Sequence, residues 1–442
     1  MHANWYVRFV HNYLPSPFSI ATILMVLAFA ICLIFTLSGP MEVLGYWYEG
    51  FWELLAFSMQ MVLILVLGHA LALTPAAQRA IRLLTGYASS SGRAAALAGF
   101  AAMFVGFINW GLCLIFGAIL ARKIGERAKA EGISINYPLV AAAGYSGMMV
   151  WHGGFSGSAP LVVAEEEHFL AALIGQIPIS ETLLSPLNMV AFLLLLSLIP
   201  AVLYWVGKKS GPGQFPEFSG EDSGNISFSA HTPAEKVDQQ PYLAWLLGGA
   251  ILILTFYTAW SAEGRNPLGF LDLNFINFLL FGLGLLLHGS VARFLWAVQE
   301  AVAGASGIII QFPLYAGIMG IMKYSGLITA FSGIFVSFST PDTLPIFTFF
   351  SAGLVNIFVP SGGGQWAVQG PVVVQAADAL GVPASKVIMA LAYGDGLTNM
   401  LQPFWALPLL GFTRLDARDI LPYSSLIMLL GGSIYLLCLW LF

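Results

Sequence analysis

Charged residues are scarce in this chain of 442 residues: they make up 9% of the sequence, whereas hydrophobic residues make up 58%. A soluble globular domain carries about 25% charged residues, so the composition argues against a water-soluble fold. A membrane-spanning helix needs about 20 predominantly apolar residues in a row. Many runs are of this kind, among them Phe18 to Phe35 and Leu421 to Phe442. No small-residue cleavage site follows the first run, which predicts a retained helix in contact with lipid rather than a cleaved signal peptide.

Cysteine is rare as well, with three residues, Cys32, Cys113 and Cys438. All three lie within apolar runs and lack the spacing of a metal-binding motif, which argues against a disulfide framework and against a zinc site. The net charge is -5, and no block of basic residues or nucleic-acid-binding motif is present. Nucleic acid is therefore not an expected partner. We expect no cofactor and no metal site, apart from a bound Na⁺ discussed below.

The apolar runs predict an all-α polytopic membrane protein with about nine transmembrane helices. The predicted spans lie at 18–38, 51–72, 137–163, 186–206, 241–260, 270–288, 305–323, 386–411 and 420–442. A polar stretch at 207–240, rich in Gly, Ser, Pro and acidic residues, predicts a cytoplasmic linker. This linker divides the chain into residues 1–206 and residues 241–442.

Two further apolar runs do not fit a single span each. The run at 94–120 has Arg93 before it and Arg122 and Lys123 after it, so the positive-inside rule places both of its ends in the cytoplasm. Such a segment must enter and leave the membrane on one side, as a re-entrant hairpin. The run at 344–377 is long enough for two half-helices, is broken at 360–364, and predicts a second re-entrant hairpin that opens outward.

The spacing of polar residues predicts an internal repeat. Asn109 lies 36 residues before Tyr145, and Asn356 lies 37 residues before Tyr393. One predicted hairpin opens to the cytoplasm and the other opens outward. The parts before and after the linker, the second with one connecting helix, are therefore expected to be two inverted repeats, an arrangement found in many secondary transporters.

Four polar or glycine-rich segments interrupt the apolar runs at membrane depth. They lie at 107–111, at 151–160, at 360–366, and at 393–399 with Gln402 and Pro403. Non-helical backbone at this depth survives only where it is buried in protein or lines an aqueous cavity. Half-helix N-termini at such breaks present free amide groups and a positive dipole end, which suits a carboxylate. The sequence thus predicts a small carboxylate substrate, bound without arginine.

The breaks supply the candidate site residues. We predict that the substrate is held by Asn109, Ser156, Ser158, Asn356, Ser361, Gly362, Gly363, Gly364, Gln365 and Asn399. Gln369, Gln402 and His152 are further candidates, although His152 could equally be a hydrogen-bonded packing residue. Asp395 lies in the middle of a predicted span, where a carboxylate is costly, so we expect it to bind or carry a coupling cation, either H⁺ or Na⁺.

Two other classes of function remain open at this point. The residues Gly154 to Gly157 match the Gly-x-Ser-Gly around the serine of rhomboid-type intramembrane proteases. Such a protease needs a histidine base from another helix, but the later histidines lie in loops or at a helix end. A citrate- or dicarboxylate-type carrier would favour an Arg or Lys beside the breaks for the second carboxylate. No Arg or Lys lies within the four broken segments.

The segment VPSGGGQWAVQGP, which begins at Val359, resembles the signature of the bacterial short-chain fatty acid transporter family, associated with acetoacetate and butyrate catabolism. GFWELLAF from Gly50, INWG from Ile108, GGFSGS from Gly153 and QPFWALP from Gln402 are similar to the same family. The resemblance implies a non-enzymatic carrier of short-chain fatty acids or similar monocarboxylates in the bacterial inner membrane. The wider ion-transporter group implies inverted repeats, re-entrant hairpins and a homodimeric scaffold.

Overall fold

The chain folds entirely into helices over the residues that the computed structural model describes, which are 12–13, 15–213, 215–217, 232–261 and 273–442. Within these residues, seven helices are long and apolar enough to cross a membrane: Pro17–Phe35, Pro40–Ala72, Ser91–Ile108, Pro186–Lys209, Pro241–Trp260, Val291–Tyr324 and Ala417–Leu441. The prediction of an all-α, multi-span membrane protein is confirmed. Two predicted spans, 137–163 and 386–411, are broken into shorter helices.

The chain begins with α1 (Pro17–Phe35), α2 (Pro40–Glu53), α3 (Leu55–Ala72) and the short helix α4 (Pro75–Thr85). Ser16 caps α1 by accepting a hydrogen bond from the amide of Ser19, and a proline at the first helical position suits this end. The helical region before Ala72 starts earlier than the predicted span at 51–72. The sequence hid this start because α2 carries Glu42 and Glu49 and so lacks a continuous apolar run.

The first predicted hairpin consists of α5 (Ser91–Ile108) and α6 (Trp110–Ala130). Only Asn109 separates the two helices, and its extended backbone, with φ -155° and ψ 130°, ends one helix and caps the next. The two helices pack against each other, so the chain reverses at Asn109. This break lies within the segment 107–111 that the sequence predicted.

The helical conformation is then lost over the second predicted break. Helix α7 (Tyr137–Tyr145) runs into two 3₁₀ turns at Ser146–Met149 and Trp151–Gly153, which are followed by the short helix α8 (Ser158–Val162). Helices α9 (Ala171–Ile174) and α10 (Pro186–Lys209) complete this part of the chain.

Helix α11 (Pro233–Gln239) lies at the end of the polar stretch, and five helices follow it: α12 (Pro241–Trp260), α13 (Leu273–His288), α14 (Val291–Val302), α15 (Ser306–Tyr324) and α16 (Leu327–Ser337). The predicted linker at 207–240 lies partly outside the described residues. In its described part, α10 continues to Lys209 and α11 is helical, because Thr232 and Glu235 form a capping box. The start of the predicted span 270–288 is likewise not described before Leu273.

The second predicted hairpin consists of α17 (Leu344–Phe358) and α18 (Gly362–Leu380). The side-chain amide of Gln365 donates to the carbonyl of Ala352 at 3.0 Å, and that of Gln369 donates to Oγ of Ser351 at 2.9 Å. Because these contacts join residues progressively farther from the break, α18 folds back along α17. The chain ends with α19 (Ala384–Thr398), a 3₁₀ turn at Asn399–Leu401, α20 (Pro403–Thr413) and α21 (Ala417–Leu441).

The helices pack in two groups, each drawn from both halves of the chain. Helices α1 to α3 and α12 to α15 contact one another and form the first helix group. The second helix group comprises α5 to α8, α10 and α16 to α21. The groups meet where α6 and α20 lie against α3 and α15, so the breaks at the starts of α6 and α20 lie near this boundary.

Candidate functional site

The tip of the first hairpin lies directly against the unwound segment after α7. The amide of Phe155 donates to the carbonyl of Phe107 at 2.8 Å, and the amide of Trp110 donates to Oγ of Ser156 at 2.9 Å. A Cβ at Gly154 would overlap the backbone of Phe107, so glycine is required for this close approach. The sequence therefore brings its first two breaks together.

Two residues predicted to bind the substrate, Asn109 and Ser156, accept hydrogen bonds from backbone amides at this tip. Oδ1 of the buried Asn109 accepts a hydrogen bond from the amide of Leu112 at 2.9 Å, which caps α6. Oγ of Ser156 accepts from the amide of Trp110, but its own O–H group can still donate. Ser156 can therefore hold the tip and contact an anion at the same time, whereas Asn109 positions the tip.

The tip of the second hairpin begins α18 with two backbone amides that lack a hydrogen-bond partner in the described structure. Oγ of Ser361 accepts the amide of Gly364 at 3.2 Å and so caps α18. The amides of Gly362 and Gly363, at the first two helical positions, have no hydrogen-bond partner among the residues described. Gly363 is exposed, and a Cβ there would meet nothing within 4 Å. These two N–H groups lie at the positive end of the α18 dipole.

Gly362 joins this second tip to the first half of the chain. A Cβ built on Gly362 would overlap Cε1 of His152 and would lie 2.8 Å from its Nε2 and 2.9 Å from Oγ of Ser158. The close approach thus depends on the missing side chain. Three predicted site residues, from the unwound segment and from the second hairpin, are in contact here.

His152 pairs with Asp395 at the centre of this cluster. Nε2 of His152 lies 2.9 Å from Oδ1 of Asp395, and the two side chains are 3% and 1% exposed. Neither Nδ1 of His152 nor Oδ2 of Asp395 has a hydrogen-bond partner among the described residues. The histidine ring packs on Trp151, with ring centroids 3.5 Å apart. Asp395 therefore finds its partner on a distant segment, although its own helix offers no basic residue near it.

A second network holds the break after α19. Nδ2 of Asn356 donates to the carbonyl of Asp395 and to Oδ1 of Asn399, both at 2.8 Å, and to Oγ1 of Thr398 at 2.9 Å. The side-chain amide of Gln402 donates to the carbonyl of Asn356. Because these partners are acceptors, they fix which atom of each amide is nitrogen. Oδ1 of Asn356 and Oε1 of Gln402 are then buried without a partner in the described part of the chain.

Gln365 and Gln369 mainly hold the two arms of the second hairpin together. Nε2 of Gln365 donates to Oε1 of Gln369 at 2.9 Å, in addition to the bonds that each residue makes to α17. Gln369 therefore bridges the two arms and is not placed against the break. Gln365 keeps an unpartnered buried oxygen, Oε1, among the atoms described.

Asn188 on α10 is a site residue that the sequence analysis missed. Its Nδ2 donates to the carbonyl of Gly153 at 2.7 Å, and its Oδ1 accepts from the hydroxyl of Tyr393 at 2.9 Å. The hydroxyl of Tyr145, in the first half of the chain, donates in turn to the carbonyl of Asn399 in the second half at 2.8 Å. The sequence signal that could have identified Asn188 is its side-chain amide near the start of the otherwise apolar span 186–206.

Other polar groups lie away from the cluster. Nε2 of Gln60 donates to Oδ1 of Asn274 on α13 at 2.8 Å, so this glutamine makes an interhelical hydrogen bond. Within the described residues, no group of three or more His, Cys, Asp or Glu side chains could hold a metal ion. The nearest imidazole to the protease-like segment, that of His152, is engaged by Asp395.

A protein-family profile and two related proteins match this chain over nearly its whole length. A profile of the family described as short chain fatty acid transporter matches residues 2–442. A protein of Escherichia coli is 36% identical over 443 residues, covering 98% of this chain and 98% of its own. A protein of Haemophilus influenzae is 35% identical over 447 residues, covering 98% of this chain and 97% of its own. Both relatives are provisionally named short-chain fatty acid transporters.

Two solved structures are also similar to this chain, at lower identity. MtrF of Neisseria gonorrhoeae, described as illuminating a class of antimetabolite efflux pumps, has a TM-score of 0.42 and 17% identity, covering 98% of this chain and 97% of its own. The YdaH transporter of Alcanivorax borkumensis has a TM-score of 0.41 and 15% identity, covering 96% and 98%.

The profile match and the two bacterial relatives cover the four breaks, the paired His152 and Asp395, and both hairpin tips. The family is one of transporters, which implies that this multi-pass membrane protein is not an enzyme. The chain belongs to the short-chain fatty acid transporter family.

Proposed function

We propose that this protein is a secondary active transporter that moves short-chain fatty acids or similar small monocarboxylates across the bacterial inner membrane. Transport is coupled to a cation, H⁺ or Na⁺. The observation that carries the proposal is the second hairpin tip, where the amides of Gly362 and Gly363 begin α18 and Gly362 packs against Ser158 and the His152–Asp395 pair.

The carboxylate group of the substrate binds at the start of α18. Two backbone amides and a positive helix end favour an anion there, and Ser158 adds a hydroxyl donor next to Gly362. In the described part of this cluster, the hydrogen bonds and ion pairs involve no Lys or Arg. A second carboxylate would therefore lack a basic partner, which supports a monocarboxylate rather than citrate or a dicarboxylate.

The coupling cation binds at or near Asp395. Oδ2 of Asp395, Oδ1 of Asn356 and Oε1 of Gln402 are buried without partners among the described atoms. Leaving such an acceptor unpaired costs about 1–3 kcal/mol, and a cation bound beside one of them would remove that cost. Oxygen atoms at broken helices suit Na⁺, and the His152–Asp395 pair can instead hold a proton. The residues present fit either cation.

The two halves of the chain act as inverted repeats, residues 1–206 and 241–442, with re-entrant hairpins at about 94–120 and 344–377. The opposite charge flanks of the two hairpins support this topology. The paired cross-contacts support it as well, because Tyr145 reaches Asn399 and Tyr393 reaches Asn188. Each half thus holds the break of the other.

The first helix group serves as the scaffold of a homodimer, and the second moves against it. Helices α1 and α12 are largely uncovered by the rest of the chain: only 17% and 22% of the residues in their apolar stretches are buried. Their exposed faces are available to lipid and to a second copy. Native mass measurement in mild detergent should show a dimer, and a purely monomeric species would count against this scaffold.

Counterflow of labelled butyrate in proteoliposomes tests the substrate class without requiring a gradient of the coupling ion. Vesicles loaded with unlabelled butyrate should take up labelled butyrate by exchange. Acetate and propionate should compete, whereas succinate and citrate should not. Equal competition by succinate would favour a dicarboxylate-type carrier instead.

A further inference from the structure

A cleft of about 410 Å³ lies between the two helix groups, apart from the cluster of breaks. Helices α3, α6, α14, α15 and α20 contribute to its lining. Its polar groups come from His69, Arg122, Glu300 and Arg414, and its apolar groups include Leu407 and Leu410. The cleft therefore offers cationic side chains next to an apolar wall.

The cleft lies toward the basic end of the second helix group. The 13 residues of α6 from Trp110 to Arg122, at about 1.5 Å per residue, span about 20 Å. Helix α20 likewise leads from its break at Gln402 to Arg414. Lys123 and Arg127 follow on α6, so the cleft is on the side that the positive-inside rule places in the cytoplasm.

Arg414 supplies an uncompensated positive charge to this cleft. Its side chain is exposed, and its guanidinium has no hydrogen-bond or ion-pair partner among the residues described. Its backbone is left-handed, with φ 57°, and it is the one non-glycine residue with positive φ in the described chain. Glycine adopts this conformation at a helix end without strain. An arginine at this position therefore places a cation here but strains the backbone.

The other charges at the cleft are largely compensated or exposed to solvent. Arg122 is 2% exposed, and its Nε lies 2.7 Å from Oε1 of Glu126. Its Nη1 donates to the carbonyl of Phe412 at 3.5 Å and so caps the C-terminal end of α20. His69 packs on the ring of Phe412, with centroids 4.7 Å apart. Glu300 is exposed on α14 and is the acid that faces the cleft from the first helix group.

We propose that this cleft is a transit site where the carboxylate of the substrate binds Arg414 on its way between the cytoplasm and the breaks. A short-chain fatty acid has one anionic end and a short alkyl end, which match Arg414 and the wall formed by Leu407 and Leu410. The exposed Glu300 weakens anion binding, and weak binding suits a site that must release its ligand. This inference rests on the proposed function but concerns a second site.

Substitution of Arg414 by glycine tests the transit site. Arg414→Gly removes the cation and suits the left-handed backbone, so loss of folding cannot account for its effect. In oriented vesicles, the KM for labelled butyrate offered on the cytoplasmic face should rise about tenfold, as expected for one lost charge-assisted hydrogen bond. The KM on the outer face and the kcat should not change. Arg414→Lys should restore much of the affinity.

Arg418→Gln is the matched control, because Arg418 is close in sequence and pairs with Asp416 at 3.8 Å outside the cleft. It should leave both KM values unchanged. An unchanged cytoplasmic KM in Arg414→Gly would overturn the transit site, and so would an equal rise on both faces. Absence of butyrate transport in the parent protein would overturn the proposed function, and the transit site with it.

Discussion

Nε2 of His152 lies 2.9 Å from Oδ1 of Asp395, and this contact joins a 3₁₀ turn in the first half of the chain to α19 in the second. Both side chains are buried, and an isolated buried charge in a membrane protein is costly. Gly362 at the second hairpin tip packs on the same imidazole. The proposed site for a coupling cation and the proposed site for the carboxylate therefore share the side chain of His152.

Removal of the charge on Asp395 should separate coupling from substrate exchange. Asp395→Asn keeps the size of the side chain and some of its hydrogen bonds, so the fold should survive. Accumulation of butyrate against its gradient should fail, whereas exchange should persist. Asp395→Glu should retain more accumulation than Asp395→Asn, because it keeps the carboxylate. Uptake and counterflow assays on the same vesicles measure both quantities.

The exposed Asp378 on α18 provides the control for this experiment. Asp378→Asn removes one carboxylate from the same half of the chain but should leave accumulation at the parent level. If Asp395→Asn accumulates butyrate as well as the parent does, Asp395 is a structural residue and the coupling site lies elsewhere.

Two adjacent glycines at the second tip should respond differently to the same substitution. A Cβ at Gly362 would overlap the ring of His152, whereas a Cβ at Gly363 would meet nothing within 4 Å. Overpacking of this kind costs about 1–3 kcal/mol, so Gly362→Ala should lower butyrate exchange by about tenfold or more. Gly363→Ala should exchange butyrate at nearly the parent rate.

Comparing Gly362→Ala with Gly363→Ala controls for the effect of alanine on the helix backbone. Both residues occupy the first turn of α18, and alanine favours the helix at both positions. The two positions differ in their surroundings, because Gly362 is buried against His152 and Ser158 whereas Gly363 is exposed. Equal exchange rates in the two variants would show that the close approach of this tip to His152 has no role in transport.

Cysteine labelling tests whether the two hairpins open to opposite sides. The test uses a variant without Cys32, Cys113 and Cys438. Arg122 is buried, so the first hairpin is better probed at the exposed Arg93 and Glu131, and the second at the exposed Asp342 and Asp378. An impermeant thiol reagent should label the first pair only from the cytoplasm and the second pair only from outside. Labelling of Arg93→Cys and Glu131→Cys from opposite faces would make this segment a full span.

The breaks in the helices could be predicted because their causes are local. Asn109, Gly154, Pro360 and Gln402 lie in polar, glycine- or proline-containing segments within apolar runs, and helical structure is interrupted at or beside each of them. The predicted break at 393–399 was wrong over its first six residues, because α19 continues as a helix to Thr398 and the interruption begins at Asn399. The start of α2 was missed because tertiary packing, rather than a continuous apolar run, makes this segment helical.

The partners within the site could not be predicted, because they come from distant parts of the chain. The sequence separation of 243 between His152 and Asp395 leaves no spacing signal for their contact. Asn188 was missed for the same reason, since its role depends on Gly153 and Tyr393. Arg414 could be recognised only from its backbone conformation and from the cleft that it lines.

Uptake of labelled butyrate into proteoliposomes under separate Na⁺ and pH gradients tests the central claim most directly. The parent protein should accumulate butyrate above equilibrium under one of these gradients, and the response should identify the coupling cation. Asp395→Asn should equilibrate butyrate under the same gradient without accumulating it. Parent protein that responds to neither gradient, or Asp395→Asn that accumulates butyrate as the parent does, would contradict cation-coupled transport through Asp395.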